Sequence, residues 1–459
     1  MWCHGYLVLP ACMGPLVLSA QIEYSNWFFG HGCGINFSGF ATPVFQGSSP
    51  IHANEGTATM SDDGGNLLYY TDAITVWNAN HVPMLNGTGL LGGFSTTQSS
   101  LCMRKPGSNL LHYVFTLDHS GQANGLRYSI IDMSLDGGLG GVTADKNILL
   151  QTPVTEKLAG CPHQNGIDRW IMVHRWNSAK FHAYLLTTAG LNTVPVVSTV
   201  GAMHTGSTQH TYGQMKISPN GDKLALVTFF MNTTQLFSFD NSTGLVSSPI
   251  DLPDSPGEYG LSFSPDGTKL YTSSADNDPI HRILQYDITS DDPAIIAASQ
   301  YEVYQSPEEV GHLEIGLDGK VYAARANVSY LGVINEPNEA GALCDYVHNG
   351  YWLHDSICRI GLPSQLAFPV DAPTGITEAA HTHPVLVPDP IEHEGVLQLN
   401  GVTADHWLLV DALGRVIHSD ATNGAHHIAI SSQGHAPGLY SIVLLDAGEA
   451  VGMVRCMFQ

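Results

Sequence analysis

Positive charge is what this sequence most lacks. Only 17 of its 459 residues are Lys or Arg, against 41 Asp and Glu, for a net charge of −24. A nucleic-acid binder needs a basic face to displace counterions from phosphates, so that partner class is excluded, and an anionic membrane surface with it. Charged residues of both signs reach only 13%, about half the usual share. Long solvent-exposed helices need Lys, Glu and Arg, and helical 3.6-residue periodicity is scarcely visible. No run after the N-terminal stretch is apolar for the length of a transmembrane helix.

Catalytic signatures are also missing. There is no Gly-x-Ser-x-Gly elbow and no Gly-x-x-x-x-Gly-Lys-Ser/Thr loop. Gly137–Gly141 is Gly-rich but has no strand-to-helix context. The cysteines have no C-x-x-C spacing, and the 23 histidines contain no His-Glu-x-x-His pair. His381 and His383 fall in a linker and His426 and His427 on opposite faces of a strand, so these read as solvated or capping groups.

What is present is a repeated strand-and-turn unit in a chain with 48 glycines and 43% hydrophobic residues. A short apolar run leads into a Gly or Asn turn, then a second strand, then a third that ends in Asp or Asn. It recurs at residues 58–78, 100–118, 158–186, 215–240, 261–287 and 313–335. The turns Asp63-Gly64, Asn220-Gly221, Asp266-Gly267 and Asp318-Gly319 supply the positive φ that tight hairpins require. Their spacing of roughly 45 to 57 residues is that of one four-stranded propeller blade. Residues 26–45 and 351–368 are also strand-like, and joining them in one blade would close the ring and hide its edges. The fold expected is therefore all-β, a seven-bladed β-propeller over 21–370. A linker (371–394) and a small antiparallel Ig-like β-sandwich (395–459) of five short strands follow, one of them spanning Trp407–His418.

Residues 1–20 read as a secretory signal, with an apolar stretch from Gly5 to Leu18 and Ala20 at the cleavage point. In the oxidising compartment this implies, Cys344 and Cys358 lie close enough in sequence to form a disulfide.

Two resemblances are specific. The chain carries Pro388-Asp389-Pro390, then Asp411 with Gly414 and Arg415 in a hairpin, then Gly438 and Tyr440 before the penultimate strand. In order, spacing and terminal position this run resembles the C-terminal sorting domain of the type IX secretion system of Bacteroidota, with Asp389 where that pattern usually has Asn. The resemblance implies delivery by the type IX machinery to the medium or the outer-membrane surface. The stretches Asn26–Gly30, Asn54–Ala58, Leu68–Asp72 with Val76–Asn78, and Gly125–Ser129 resemble the propeller region of large Bacteroidota surface proteins that carry polycystic-kidney-disease-type domains. That implies a fold and a location and brings no biochemical activity.

Propellers bind ligands at the channel mouth, where the innermost strands begin. Glu55, Gln98, His163, Asn165, His210 and Glu258 are the residues expected there, and such a ring would take a calcium ion or a polar saccharide. Trp27, Trp77, Trp170, Trp176 and Tyr70 read as packing between blades. Three functions remain open: a surface protein that binds a glycan or another protein, a hydrolase or lyase with a channel-mouth metal, and a passive envelope scaffold.

Overall fold

Tight turns set the pattern of the chain. In the computed structural model Gly221, Gly267 and Gly319 sit at φ of 70°, 73° and 78°, a region open to glycine at little cost. The Ser218 N–H bonds to the Lys223 carbonyl at 2.9 Å and the Gly221 N–H to the Ser218 carbonyl at 2.8 Å, closing one such hairpin. At the fourth turn the left-handed residue is Gly65, at φ 77°, and not Gly64. The structure describes residues 22–37, 43–253, 257–275, 279–368, 385–387, 393–399, 403–411, 415–425, 427–446 and 449–458. The signal segment, most of the linker, and Pro388, Asp389, Pro390 and Gly414 lie outside them.

The chain divides into two units, 1–373 and 374–459. The first is an all-β, propeller-like array of small antiparallel sheets, the first two of which are joined by one parallel pairing, Gly141 with Leu85. Their first strands in chain order are Ala58–Ser61, Ser100–Arg104, Val154–Pro162, Met215–Ile217, Glu258–Phe263 and Val310–Ile315, and consecutive first strands lie side by side. Each sheet then runs outward in sequence order, as in Met215–Ile217, Lys223–Thr228, Thr233–Asp240 and Leu245–Asp251. An added sheet, Asn26–Phe29, Cys33–Asn36 and Val44–Phe45, comes from the N-terminus.

Each sheet is covered on both faces. Leu101 and Phe115 pack against Leu158 and Ile171, Met172 and Phe181 against Leu224 and Phe237, and Ala225 and Leu236 against Leu261 and Tyr286. Inner strands therefore read as continuous buried runs: all six residues of Glu258–Phe263 are buried. Outer strands such as Val196–His204 expose many of their residues. Trp27, Trp170, Trp176 and Tyr70 are buried between sheets, as packing residues should be.

The two ends of this unit meet. The His31 N–H bonds to the Ile357 carbonyl at 2.9 Å, the His312 N–H to the Ile360 carbonyl at 2.8 Å and the Ser364 N–H to the Thr57 carbonyl at 2.8 Å. Residues 357–364 thus lie between the strand Val310–Ile315 and the one that begins at Ala58. Trp27, Phe29 and Ile35 share a core with Tyr322, Leu331 and Val333, while Phe28 packs with Tyr70. The series of cores thus returns to its starting point.

The expected disulfide is corrected. Cys344 and Cys358 are both free, buried thiols. Cys344 packs with Tyr271 and Val310 in one core, whereas Cys358 packs with Trp27 and Cys33 in the next. Closeness in sequence is undone because the strand Tyr346–Trp352 runs between them.

The second unit holds two antiparallel sheets. One contains Val385–Val387, Glu394–Gln398 and His427–Ser431; the other orders Val416–Ala421, His406–Asp411, Gly438–Asp446 and Glu449–Phe458. Leu397 and Ile430 from the first share a core with Trp407, Leu409 and Ile442 from the second. The expected single strand Trp407–His418 is a hairpin instead. Asp411 turns the chain by accepting from the Arg415 N–H at 2.9 Å and from Arg415 Nε at 2.7 Å.

Candidate functional site

In an antiparallel sheet that starts at the axis, the loops before first strands and those between second and third strands lie at one end. That end is the mouth of the propeller-like unit. The segments 54–57, 94–99, 209–214 and 309–312 converge there, because each leads into or begins an inner strand.

Glu55 and Glu156 form the centre. Glu55 Oε1 accepts from Ser95 Oγ at 2.6 Å and Oε2 from the Tyr259 hydroxyl at 2.5 Å. Glu156 is fully buried; its Oε2 accepts from the Thr97 N–H at 2.7 Å and hydroxyl at 3.0 Å, and its Oε1 from the Ser120 N–H at 2.7 Å. Burial, and then the nearby Glu55 carboxylate, push Glu156 up to about 8. Burial also raises Glu55. This pair favours a proton-holding state near neutral pH.

Lys157 follows Glu156 and points the other way, since successive strand residues face opposite neighbours. Its ammonium donates to the Thr211 carbonyl at 3.2 Å and the Tyr212 carbonyl at 2.6 Å. Burial, opposed by Glu156, lowers it to about 7. His312 stacks on Tyr259 with ring centres 5.6 Å apart and accepts from the Leu362 N–H through Nδ1 at 3.1 Å.

Two glutamines lock the inner strands together. Gln98 Oε1 accepts from the Leu158 N–H at 3.1 Å and the Met215 N–H at 2.8 Å, while its Nε2 donates to the Met215 carbonyl at 3.0 Å. Gln214 Oε1 likewise accepts from the Leu261 N–H at 2.8 Å and the Leu313 N–H at 3.1 Å. Both amides are occupied by main chain and serve as braces.

The structure separates the six expected residues. Glu55 is at the mouth and reaches a pocket of about 230 Å³ with Ser95, Glu309, Asn327 and Arg359. Gln98 is a buried brace. Glu258 is buried and accepts from the Thr272 hydroxyl at 2.8 Å. His210 lies in the exposed turn Thr208–Thr211, bonded through Nδ1 to the Thr205 carbonyl at 2.7 Å. His163 and Asn165 stand at the far end, because the strand Val154–Pro162 ends before them. There His163 Nε2 meets the Ser242 carbonyl at 3.1 Å, and Asn165 bonds to Asp168 at 2.9 Å. That end has its own pocket of about 50 Å³, lined by Lys216, Phe263, Glu314 and Phe368 among others, with Lys216 ion-paired to Glu314.

Sequence reasoning missed Glu156, Lys157, Gln214, Tyr259 and His312. One signal was available: Glu156-Lys157 is a charged pair inside the otherwise apolar run Val154–Pro162. Every carboxylate oxygen of Glu55 and Glu156 already accepts from protein donors. Among the described residues no group of three or more His, Cys, Asp and Glu is placed to hold a metal. Of the exposed aromatic side chains among the described residues, Phe94, Phe230, Tyr330 and Trp352 fall on loops or strand ends at the mouth, while Tyr301 begins the strand Tyr301–Ser306 at the other end.

In the second unit Asp411 and Arg415 form the turn described above, and the Tyr440 hydroxyl donates to the Ala436 carbonyl at 2.7 Å. No described helix is long and apolar enough to cross a membrane.

No protein-family model matches the chain, and no curated protein does. Solved structures similar to it include a Bacteroides uniformis protein assigned as a 6-phosphogluconolactonase, at 13% identity and TM-score 0.42 over 67% of this chain and 92% of that one. Kluyveromyces lactis Hsv2 is similar at 10% identity and TM-score 0.41 over 68% and 90%. Kuenenia stuttgartiensis hydrazine synthase follows at 10% and 0.38 over 79% and 91%. None of these likenesses assigns an activity.

Proposed function

We propose that this chain is an exported binding or adhesion protein, secreted or held at the outer-membrane surface. Its first unit is read as a seven-bladed β-propeller that engages a glycan or a surface protein on its mouth face. Its second unit is read as an Ig-like sandwich that delivers it through the type IX secretion machinery. The observation that carries the binding reading is the set of large aromatic side chains left exposed on loops and strand ends of the mouth face, Phe94, Phe230, Tyr330 and Trp352. Large apolar groups left in water on one face mark an interaction surface. The channel-mouth metal hydrolase has less support, since Glu55 and Glu156 are turned to protein donors and among the described residues no group of three or more His, Cys, Asp and Glu is placed to hold a metal.

The sorting reading is supported by the Asp411–Arg415 hairpin and by Tyr440, which give the matched residues local structural work. Two experiments test the whole. Screening the purified chain against a glycan array and against extracts of surface proteins should yield a ligand; binding to neither overturns the binding reading. Deleting residues 387–459 should leave the protein in the periplasm; continued release to the medium overturns the sorting reading.

A further inference from the structure

A second pocket, of about 310 Å³, opens where the two ends of the first unit meet. It is lined by His31, Phe45, Ser48, His52, His354 and Asp355, among others. Phe45 and His354 line one side of it, and Trp352, outside the lining, stacks on His354. The His354 imidazole lies 4.0 Å from Trp352, tilted by 29°, and 4.4 Å from Phe45, tilted by 32°. Across the pocket His31 and His52 have ring centres 5.1 Å apart. Trp352 keeps 52% of its surface in water, and Tyr330, opposite it in the strand register, is also exposed.

A turn places the His354 ring. His354 adopts φ 56°, a left-handed turn conformation that it shares with thirteen other non-glycine residues among those described. The strand Tyr346–Trp352 ends just before it, so the turn carries the imidazole between the two aromatic planes.

The chemistry is that of a saccharide site. A pyranose offers an apolar C–H face, which suits the ring wall, and a rim of hydroxyls, which need mixed donors and acceptors. His31, His52, Ser48 and Asp355 supply both kinds. A polyanion finds no cluster of cations here and meets a chain of net charge −24. We infer that this pocket is a subsite for a neutral saccharide, seated against Phe45 and the His354 ring that Trp352 supports. The inference rests on the binding reading above and specifies where, and to what, the mouth face binds.

The test uses the full chain. A neutral-glycan array selects the probe, and titration calorimetry then compares the wild type with His354→Ala, Trp352→Ala and, as a control at the opposite end, His163→Ala. Removing the His354 ring or the Trp352 ring that supports it should weaken binding about tenfold or more, while His163→Ala leaves it unchanged. The thermal midpoint of each variant, and the milder Phe45→Leu, separate a lost contact from a lost fold. Equal binding by wild type and the folded wall variants overturns the subsite and leaves the binding reading intact. Absence of any neutral-saccharide binding overturns the subsite as well, whereas the binding reading falls only if surface-protein extracts also give no ligand.

Discussion

The Tyr259 hydroxyl donates to Glu55 Oε2 at 2.5 Å, joining residues 204 apart in the chain. The bond ties the first complete sheet to one on the other side of the axis, and it sits at the mouth. Tyr259→Phe removes the donor to Oε2 and leaves Glu55 with Ser95 and Thr97. We expect a loss of about 1–2 kcal/mol in urea unfolding and a further rise in the Glu55 pKa. Carboxyl titration by isotope-edited NMR checks the second effect.

Gln98 makes three bonds to the main chain of neighbouring inner strands. Gln98→Ala strands two buried N–H groups and a carbonyl. It should cost about 2–4 kcal/mol, read as a fall in the denaturation midpoint with little change in secondary structure by circular dichroism.

Gly361 passes against the Glu55 main chain so closely that an added Cβ would lie 2.0 Å from the Glu55 carbonyl carbon and oxygen. Backbone cannot yield as a side-chain tip can. Gly361→Ala should destabilise the first unit by about 2 kcal/mol or more, whereas Gly166→Ala, with nothing near its Cβ, should show only the smaller cost of its positive φ.

Burial holds His112, His174 and His312 down to about 3. The unfolded chain takes up these protons near pH 6.5, so their stability is fully present above that value and is lost as pH falls toward about 3. Each contributes a slope of up to about 1.4 kcal/mol per pH unit. Glu156, raised to about 8, works in the opposite sense, with stability present below the unfolded carboxyl value and lost as pH rises to about 8. Burial also lowers His31, His182, His204 and His348 and raises Glu23, Glu55, Asp72, Glu314 and Asp318, and with the histidines the more numerous the urea midpoint should fall between pH 6 and 4. In Glu156→Gln the difference from wild type should shift in the variant's favour as pH rises from 5 to 8.

Cys344 and Cys358 should alkylate as free thiols when the protein is unfolded in the presence of iodoacetamide without reductant. A peptide linking the two by mass spectrometry would contradict the separate cores in which they lie.

Much of the fold was legible locally. Asn220-Gly221 and Asp266-Gly267 announced hairpins because only a few residue types accept positive φ. The join between residues 26–45 and 351–368 could be inferred because open sheet edges are costly. The site was far less legible. His163 and Asn165 looked like mouth residues until the length of Val154–Pro162 carried them to the other end. Gln98 looked like a ligand until the Met215 and Leu158 main chains took its amide. The sequence shows no contacts between sheets, and a buried glutamate and a surface one look alike in it.

What the sequence determined alone was the kind of structure: few charges, many glycines and evenly spaced turns allow sheets and disfavour helices, because turn geometry and strand burial are properties of neighbouring residues. Which side chains meet was decided by the tertiary structure. Glu55 reaches Tyr259, and His354 enters between Phe45 and Trp352, because the backbone comes full circle and brings together residues whose partners lie hundreds of positions away.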